Sequence, residues 1–307
     1  MDLLFTIFIF SIILFLYLHI YYHLKTSEDL EIYTLKNPSK EYLEEICTIR
    51  QPVLFEFNNK EILDNFNLHN LEKNLSIFDV NIRKKGDELY LPITLKEAIP
   101  LFQKDQEENY ITEQNYDLLQ ETGLHKILRH NDVFLRPPMV SNCSYDICSG
   151  SLKSFTPLRY HLNYRNYICV TEGRVKLRLI SPFYSKYLHL IKDYENFEFR
   201  SPLNIWNIQE EFAKDFGKTK YLDVELKKGD IIYIPAFWWW SVQYLDLSCL
   251  LMFKYRTYMN TVAILPQIII QMLQKLNVKW DIVHKLQSIH KEPDHKHNEE
   301  QGMVSNS

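Results

Sequence analysis

Few positions in this chain have the type and spacing to do chemistry, and the best of them share one stretch, TPLRYHLNYRN, Thr156 to Asn166. Arg159 supplies a permanent positive charge in a fork that suits a carboxylate or phosphate. His161, two residues on, adds a ring nitrogen that can donate, accept or ligate. The pair reads two ways: an anion site with Arg159 as its contact, or a polar cluster closed by acidic and carbonyl partners. A second stretch, GDIIYIPAFWWWSV, Gly229 to Val242, sets Trp238, Trp239 and Trp240 in a row, three of the chain's 5 tryptophans. Three indoles at the end of a strand make either a packed aromatic wall or a binding surface.

Other chemistries find little footing. With 7 glycines in 307 residues the chain has no GxGxxG and no GxxxxGK, which argues against Gly-rich phosphate loops and the common nucleotide-binding readings. Lys and Arg (35) are outnumbered by Asp and Glu (39), which gives no general attraction to nucleic acid. The cysteines, Cys47, Cys143, Cys148, Cys169 and Cys249, are odd in number and scattered; they fit a reduced compartment, although Cys143 and Cys148 are near enough in sequence to pair. No Ser-His-Asp or Cys-His arrangement follows from spacing. His69, His125, His130 and His189 read as satisfied surface or core residues, and His295 and His297 as solvated side chains of a polar tail. Asn74 and Asn142 begin N-x-Ser sequons, which matter only in a lumenal domain.

These residues must be positioned by strands. From Ser154 to Arg256, runs such as YICVT, KLRLIS, YLDVEL, DIIYIP and LSCLLMFKY alternate with turn residues, as in a β-sandwich or barrel. Upstream, residues 26–46 read as a linker followed by a short helix capped at Ser39, and QPVLFEF reads as a strand. Helical patterns then alternate with short strands to Asp132. Downstream, Ile264, Ile268, Met272, Leu276, Ile282 and Leu286 recur at helical spacing, interrupted at Asn277, as a core or helix-helix stripe. At the other end, Leu3 to Tyr22 runs without a charge. At ~1.5 Å per residue a helix of that length crosses the ~30 Å hydrocarbon layer. A secretory signal is the competing reading, but no basic segment precedes the run and no small-x-small cleavage site follows. Tyr17, Tyr21 and Tyr22 suit the headgroup level, and Lys25, Lys36 and Lys40 place the bulk of the chain on the cytoplasmic side. The predicted organisation is a transmembrane anchor (1–25), a helical and mixed part (26–135), a β core (136–260), a helical segment (261–290) and a disordered tail (291–307).

GDIIYIPAFWWWSV resembles the G-D-x-L-x-I-P-x-x-W-W-H-x-V element of the JmjC and cupin-like hydroxylases, the superfamily of the factor-inhibiting asparaginyl hydroxylase and the tRNA wybutosine hydroxylase. Thr156 to Pro182 is similar to that family's T-P-x-H-x-D stretch and the N, G, K and P positions that follow it. RQPVLFEF near residue 50 and LRPP at 135–138 also stand in the family's order. The resemblance covers roughly residues 30–260. It implies a mainly β fold with flanking helices, a double-stranded β-helix of jelly-roll or cupin type, here with one N-terminal transmembrane helix.

The family's iron centre uses a His-x-Asp/Glu pair and a later His, with open positions for 2-oxoglutarate and dioxygen. In this chain the matching positions hold Arg159, His161 and Trp240. A guanidinium and an indole N–H cannot ligate iron. A shifted register, suggested by the preserved Asn166 to Gly173 spacing, makes His161 and Asn163 a His-x-Asn pair, a poor substitute. The co-substrate pocket departs likewise. The family's lysine falls on Val175, with Lys176 on the opposite face of the strand, and a polar position of the last core strand is Met252. Thr156 and Asn166 are retained, as are Gly173, Pro182, Gly229, Asp230, Pro235, Trp238 and Trp239. The resemblance therefore implies a pseudo-hydroxylase without cofactor, acting as a binding or scaffold module for a protein or small anion, and a homodimer through the C-terminal helices as in related hydroxylases. The alternative is an Fe(II) and 2-oxoglutarate hydroxylase with non-standard ligands.

Overall fold

A computed structural model describes residues 2–86 and 89–289. The long apolar run forms α1 (Asp2–Leu24). The mixed part that follows contains β1 (Tyr33–Leu35), α2 (Lys40–Cys47), β2 (Val53–Glu56), α3 (Lys60–Asn65), α4 (Leu68–Leu75), β3 (Asp79–Lys84), β4 (Tyr90–Thr94), α5 (Leu95–Lys104), β5 (Tyr110–Thr112), α6 (Tyr116–Glu121) and α7 (Leu124–Asn131). The strand-rich part runs through β6 (Val140–Gly150), β7 (Arg159–Tyr160), β8 (Arg165–Glu172), β9 (Arg174–Ile180), β10 (Ile191–Asp193), β11 (Glu198–Arg200), α8 (Glu210–Phe216), β12 (Tyr221–Lys227), β13 (Asp230–Pro235), β14 (Trp239–Tyr244) and β15 (Ser248–Thr257). Two helices follow, α9 (Tyr258–Ala263) and α10 (Leu265–Ile289).

Two sheets result, one of nine strands in the order β1-β2-β13-β8-β15-β6-β5-β3-β4 and one of six in the order β10-β11-β7-β14-β9-β12. From β12 the chain goes to β13 in the large sheet, β14 in the small one and β15 in the large one again. This shuttling winds the strands into a jelly roll. The turn between β8 and β9 requires Gly173: its φ is +76°, and a Cβ there would lie 2.8 Å from the Leu247 carbonyl oxygen.

β8 carries an unbroken apolar run because both of its faces are covered. Ile168 and Val170 point between the sheets, where they meet Leu177, Leu179, Ile232, Ile234 and Val242. Tyr167 and Cys169 point the other way, into a layer formed by Leu43, Ile62, Phe66, Phe102 and Leu128 of the helices. The same alternation divides the three tryptophans. Trp238 and Trp240 enter the space between the sheets, whereas Trp239 packs outside the small sheet with Leu188, Leu203 and Phe216. The row is a wall seen from two sides.

Several boundaries differ from the sequence reading. The predicted linker before α2 contains β1, which pairs in parallel with β2 as Tyr33↔Val53 to Leu35↔Phe55. The predicted interruption at Asn277 is absent: α10 continues through it, since one Asn weakens a helix only slightly. All five cysteines are free thiols. Cys143 and Cys148 lie five residues apart on β6. At ~3.3 Å per residue that distance is beyond the reach of a disulfide. The side chains of Ile282 and Leu286, and the tail 291–307 with His295 and His297, lie outside the described residues.

The two terminal helices share one end of the domain. α1 is long and apolar enough to cross a membrane, with mean hydropathy 2.6 over Leu3–Leu24. Its last turn is docked on the domain. His23 is buried, its Nδ1 2.8 Å from the His19 carbonyl oxygen and its Nε2 3.3 Å from Thr257 Oγ1. Arg50 donates to the Tyr22 carbonyl oxygen and lies between the Tyr22 and Tyr164 rings, 5.0 and 4.9 Å from their centroids. Ile264, which caps the end of α9, is buried, but Leu265, Ile269, Met272, Leu273 and Leu276 of α10 leave an apolar stripe exposed.

Candidate functional site

The first strand of the small sheet contributes Arg159, whose Cα partner on β14 is Trp240. Beyond β7 the chain turns, and the His161 carbonyl oxygen accepts from Phe237 N at 2.9 Å. Phe237 has a φ of +66°, a left-handed conformation costly for an aromatic residue, and it sets the bend that leads into the tryptophans. Arg159, His161 and Trp240 are thereby brought together. The Arg159 guanidinium carbon lies 4.9 Å over the Trp240 ring, and the His161 and Trp240 ring centroids are 5.3 Å apart.

Arg159 is not free. It donates from Nη1 to Glu198 Oε1 at 2.9 Å and from Nη2 to Glu113 Oε2. Arg83 reaches the same carboxylates, 3.3 Å from Glu113 and 3.4 Å from Glu198, and the Tyr90 hydroxyl donates to Glu113 at 2.7 Å. Arg83, Glu113, Arg159 and Glu198 are all buried. Two positive and two negative charges thus neutralise one another out of water. Burial opposes ionisation of Glu113, but the charge and hydrogen bond of Arg159, with Arg83 behind them, hold its carboxyl down at about 2. The anion expected at Arg159 is supplied by the chain itself, through carboxylates from β11 and from the end of β5.

Next to this cluster a cavity of about 450 Å³ opens between the sheets. Its floor is one face of the large sheet, where Met252, Lys254 and Arg256 of β15 stand beside Asp146, Ser144 and Asn142 of β6. Asp146 accepts from the Gln114 and Asn115 amides at 2.9 and 2.8 Å, yet burial raises its carboxyl above the ordinary range. His161 faces the same space. Burial first, then the charges of Lys254, Arg159 and Arg256, push its imidazole well below the ordinary histidine range, which favours the uncharged ring.

The remaining sequence-predicted positions divide. Met252 and Asn163 line the cavity with Arg159 and His161; Thr156, Asn166, Val175, Lys176 and Trp240 do not. Thr156 is a staple, its Oγ1 accepting from Val242 N at 2.9 Å. Asn166 donates to the carbonyl oxygens of Asn163 and Ile234. Val175 is packed in the core between the sheets, and Lys176 points outward to Asp223 at 3.0 Å. Sequence reasoning missed Arg83, Glu113, Glu198, Lys254 and Arg256. The last two were within reach of it, because strand alternation from Met252 puts Lys254 and Arg256 on its face.

Residues 56–261 match the family model of the cupin-like domain, more than half of the chain. The chain belongs to the cupin-like family. No curated protein matches it.

An iron centre of the kind the cupin/JmjC superfamily uses does not fit the donors at these positions. Neither the Arg159 guanidinium nor the Trp240 indole N–H has a lone pair to give, and the Asn163 amide oxygen accepts from Arg256 Nε at 2.6 Å. Among the described residues no three His, Cys, Asp or Glu side chains are grouped to hold a metal ion. What the cupin-like pocket offers instead is charge and hydrogen bonding in a partly enclosed space.

Replacing Arg159 by Met would leave two buried carboxylates facing one guanidinium, a loss of about 3–5 kcal/mol. In denaturant titrations of Arg159→Met against the native chain this gap is expected at pH 7. It should narrow in acid. Glu113 is held at about 2 in the folded chain, against ~4.3 unfolded, so its contribution is complete above the higher value and vanishes as pH falls toward the lower one.

Proposed function

We propose that the protein is a membrane-anchored pseudo-hydroxylase, a cupin-like domain without iron or 2-oxoglutarate that works as a binding or scaffold module. The observation that carries this reading is the closed ion cluster: Arg159, in a metal position, is committed to Glu113 and Glu198 beneath the Trp240 ring. A dication beside that guanidinium would meet repulsion, and the nearest carboxylates, Glu113 and Glu198, are already paired with Arg159 and Arg83. The co-substrate side supports the same reading, since the apolar Val175 has no group for a carboxylate.

The anchor is supported by the docking of α1. Cleavage after α1 would remove His23 from Thr257 and the Tyr22 carbonyl oxygen from Arg50, exposing surfaces that the domain keeps covered. In this reading α1 stays in the membrane and the cupin-like domain faces the cytoplasm. The exposed stripe of α10, Leu265, Ile269, Leu273 and Leu276, is then the surface on which two copies meet.

Full-length protein purified in detergent and supplied with Fe(II), 2-oxoglutarate and oxygen is expected to retain less than stoichiometric iron and to release no succinate above a boiled control. Stoichiometric iron with succinate release would instead establish a hydroxylase with non-standard ligands. Orientation has its own readout, because Asn74 and Asn142 are exposed sequon positions. Expression in eukaryotic cells should give no endoglycosidase-sensitive mass; a glycan at either residue would place the domain in the lumen. Light scattering of the same preparation should give twice the protein mass of one chain, and Leu273→Glu should halve it.

A further inference from the structure

The charged residues of the cavity wall are unevenly matched. Glu113 and Glu198 are consumed by Arg159 and Arg83, which leaves Asp146 as the one carboxylate in the cavity lining outside that cluster. Against it stand Lys254, Arg256 and, from α10, Lys275. Asp146 is already bonded by two backbone amides. The Lys254 side chain makes no ion pair or hydrogen bond among the described residues, although its charge acts on both Asp146 and His161. Arg256 is bonded only through Nε, to the neutral Asn163, and stacks 5.1 Å from the Phe197 ring, so its two Nη groups have no carboxylate.

We infer that this cavity binds a small dianion, with Lys254 and Arg256 as its principal contacts and Lys275 closing over it; the inference rests on the reading of the pocket as a binding site. Three cations around one carboxylate leave two positive charges to be met, and a ligand carrying two negative charges meets them. The space suits a small molecule rather than a peptide: about 450 Å³ lies at the lower end of the range for ligand pockets. Arg256 presents a planar pair of donors, and Lys254 a point charge one residue removed on the same strand face, a combination that grips either a carboxylate or a phosphoryl group. The His161 ring can add a hydrogen bond. Its Nδ1 is buried without a partner. The location differs from the position of the family's co-substrate lysine. That position, Val175, lies in closed apolar packing, whereas Lys254 and Arg256 stand on β15 in the cavity floor.

Two kinds of molecule share this chemistry, phosphate monoesters and dicarboxylates. Isothermal titration of the full-length protein in detergent would use glycerol 3-phosphate and succinate as probes and acetate as the monoanion control. At least one dianion is expected to bind and acetate to bind at least tenfold more weakly. Lys254→Met and Arg256→Met, each verified as folded by circular dichroism, should each weaken the dianion at least tenfold. Lys176→Met, on the outer face, should leave it unchanged. Binding of only one probe class assigns the ligand to that class. No binding of either dianion, or binding that both cavity variants retain, would overturn the inference. Iron-dependent succinate release with dianion binding intact would sink the pseudo-hydroxylase reading alone; neither release nor binding would sink the dianion site alone.

Discussion

A buried guanidinium demands partners before anything else about the fold can be settled. Arg159 lies 5% exposed on a strand of the small sheet, and its charge would be prohibitive there without Glu113 and Glu198. Those two carboxylates come from different parts of the chain, one from the end of β5 in the large sheet and one from β11 in the small sheet. Each would be as costly alone. The cluster therefore ties both sheets together at one end of the jelly roll, and Arg83 of β3 joins the N-terminal strands to it. An ion cluster of this kind is no strong source of stability compared with apolar packing of the same volume. It acts instead as a constraint, because a register that separated its members would leave charges uncompensated.

The aromatic residues complete that arrangement. Trp240 is fully buried against the face of Arg159, where the indole ring stabilises the cation and excludes water from it. Trp238 fills the space between the sheets on the same side, and Trp239, pointing away, holds the excursion that carries β10, β11 and α8. That excursion delivers Glu198. The row of tryptophans and the ion cluster are thus one construction, and the cavity beside it keeps its polar floor because Met252, Lys254 and Arg256 continue the inward face of β15 beyond the apolar packing.

The opposite requirement governs the N-terminal helix. Along α1 the apolar side chains are exposed, which in water would be unfavourable over nearly its whole length, and only its last turn finds protein partners. The contact through His23, Arg50 and Thr257 makes the helix an extension of the domain rather than a leash. Since Thr257 also caps α9, the N-terminal helix and the C-terminal helices share one junction.

Strand content, the position of the β core, the apolar N-terminal helix and the cupin-like motif order were legible in the sequence, because each is written in local periodicity and composition. Strand alternation also separated Val175 and Lys176 onto opposite faces of β9. β1 was missed since three residues carry too little pattern, and α10 was cut at Asn277 because propensity is a weak signal beside the helix on either side. What the sequence could not specify is the company each polar residue keeps. Arg159 meets its carboxylates 46 residues upstream and 39 residues downstream, and nothing local to it marks them. Only the closing of two sheets decided that Arg159 is consumed within the fold while Lys254 and Arg256 stay available, for pairing of buried charge depends on distances that exist only once the chain has folded.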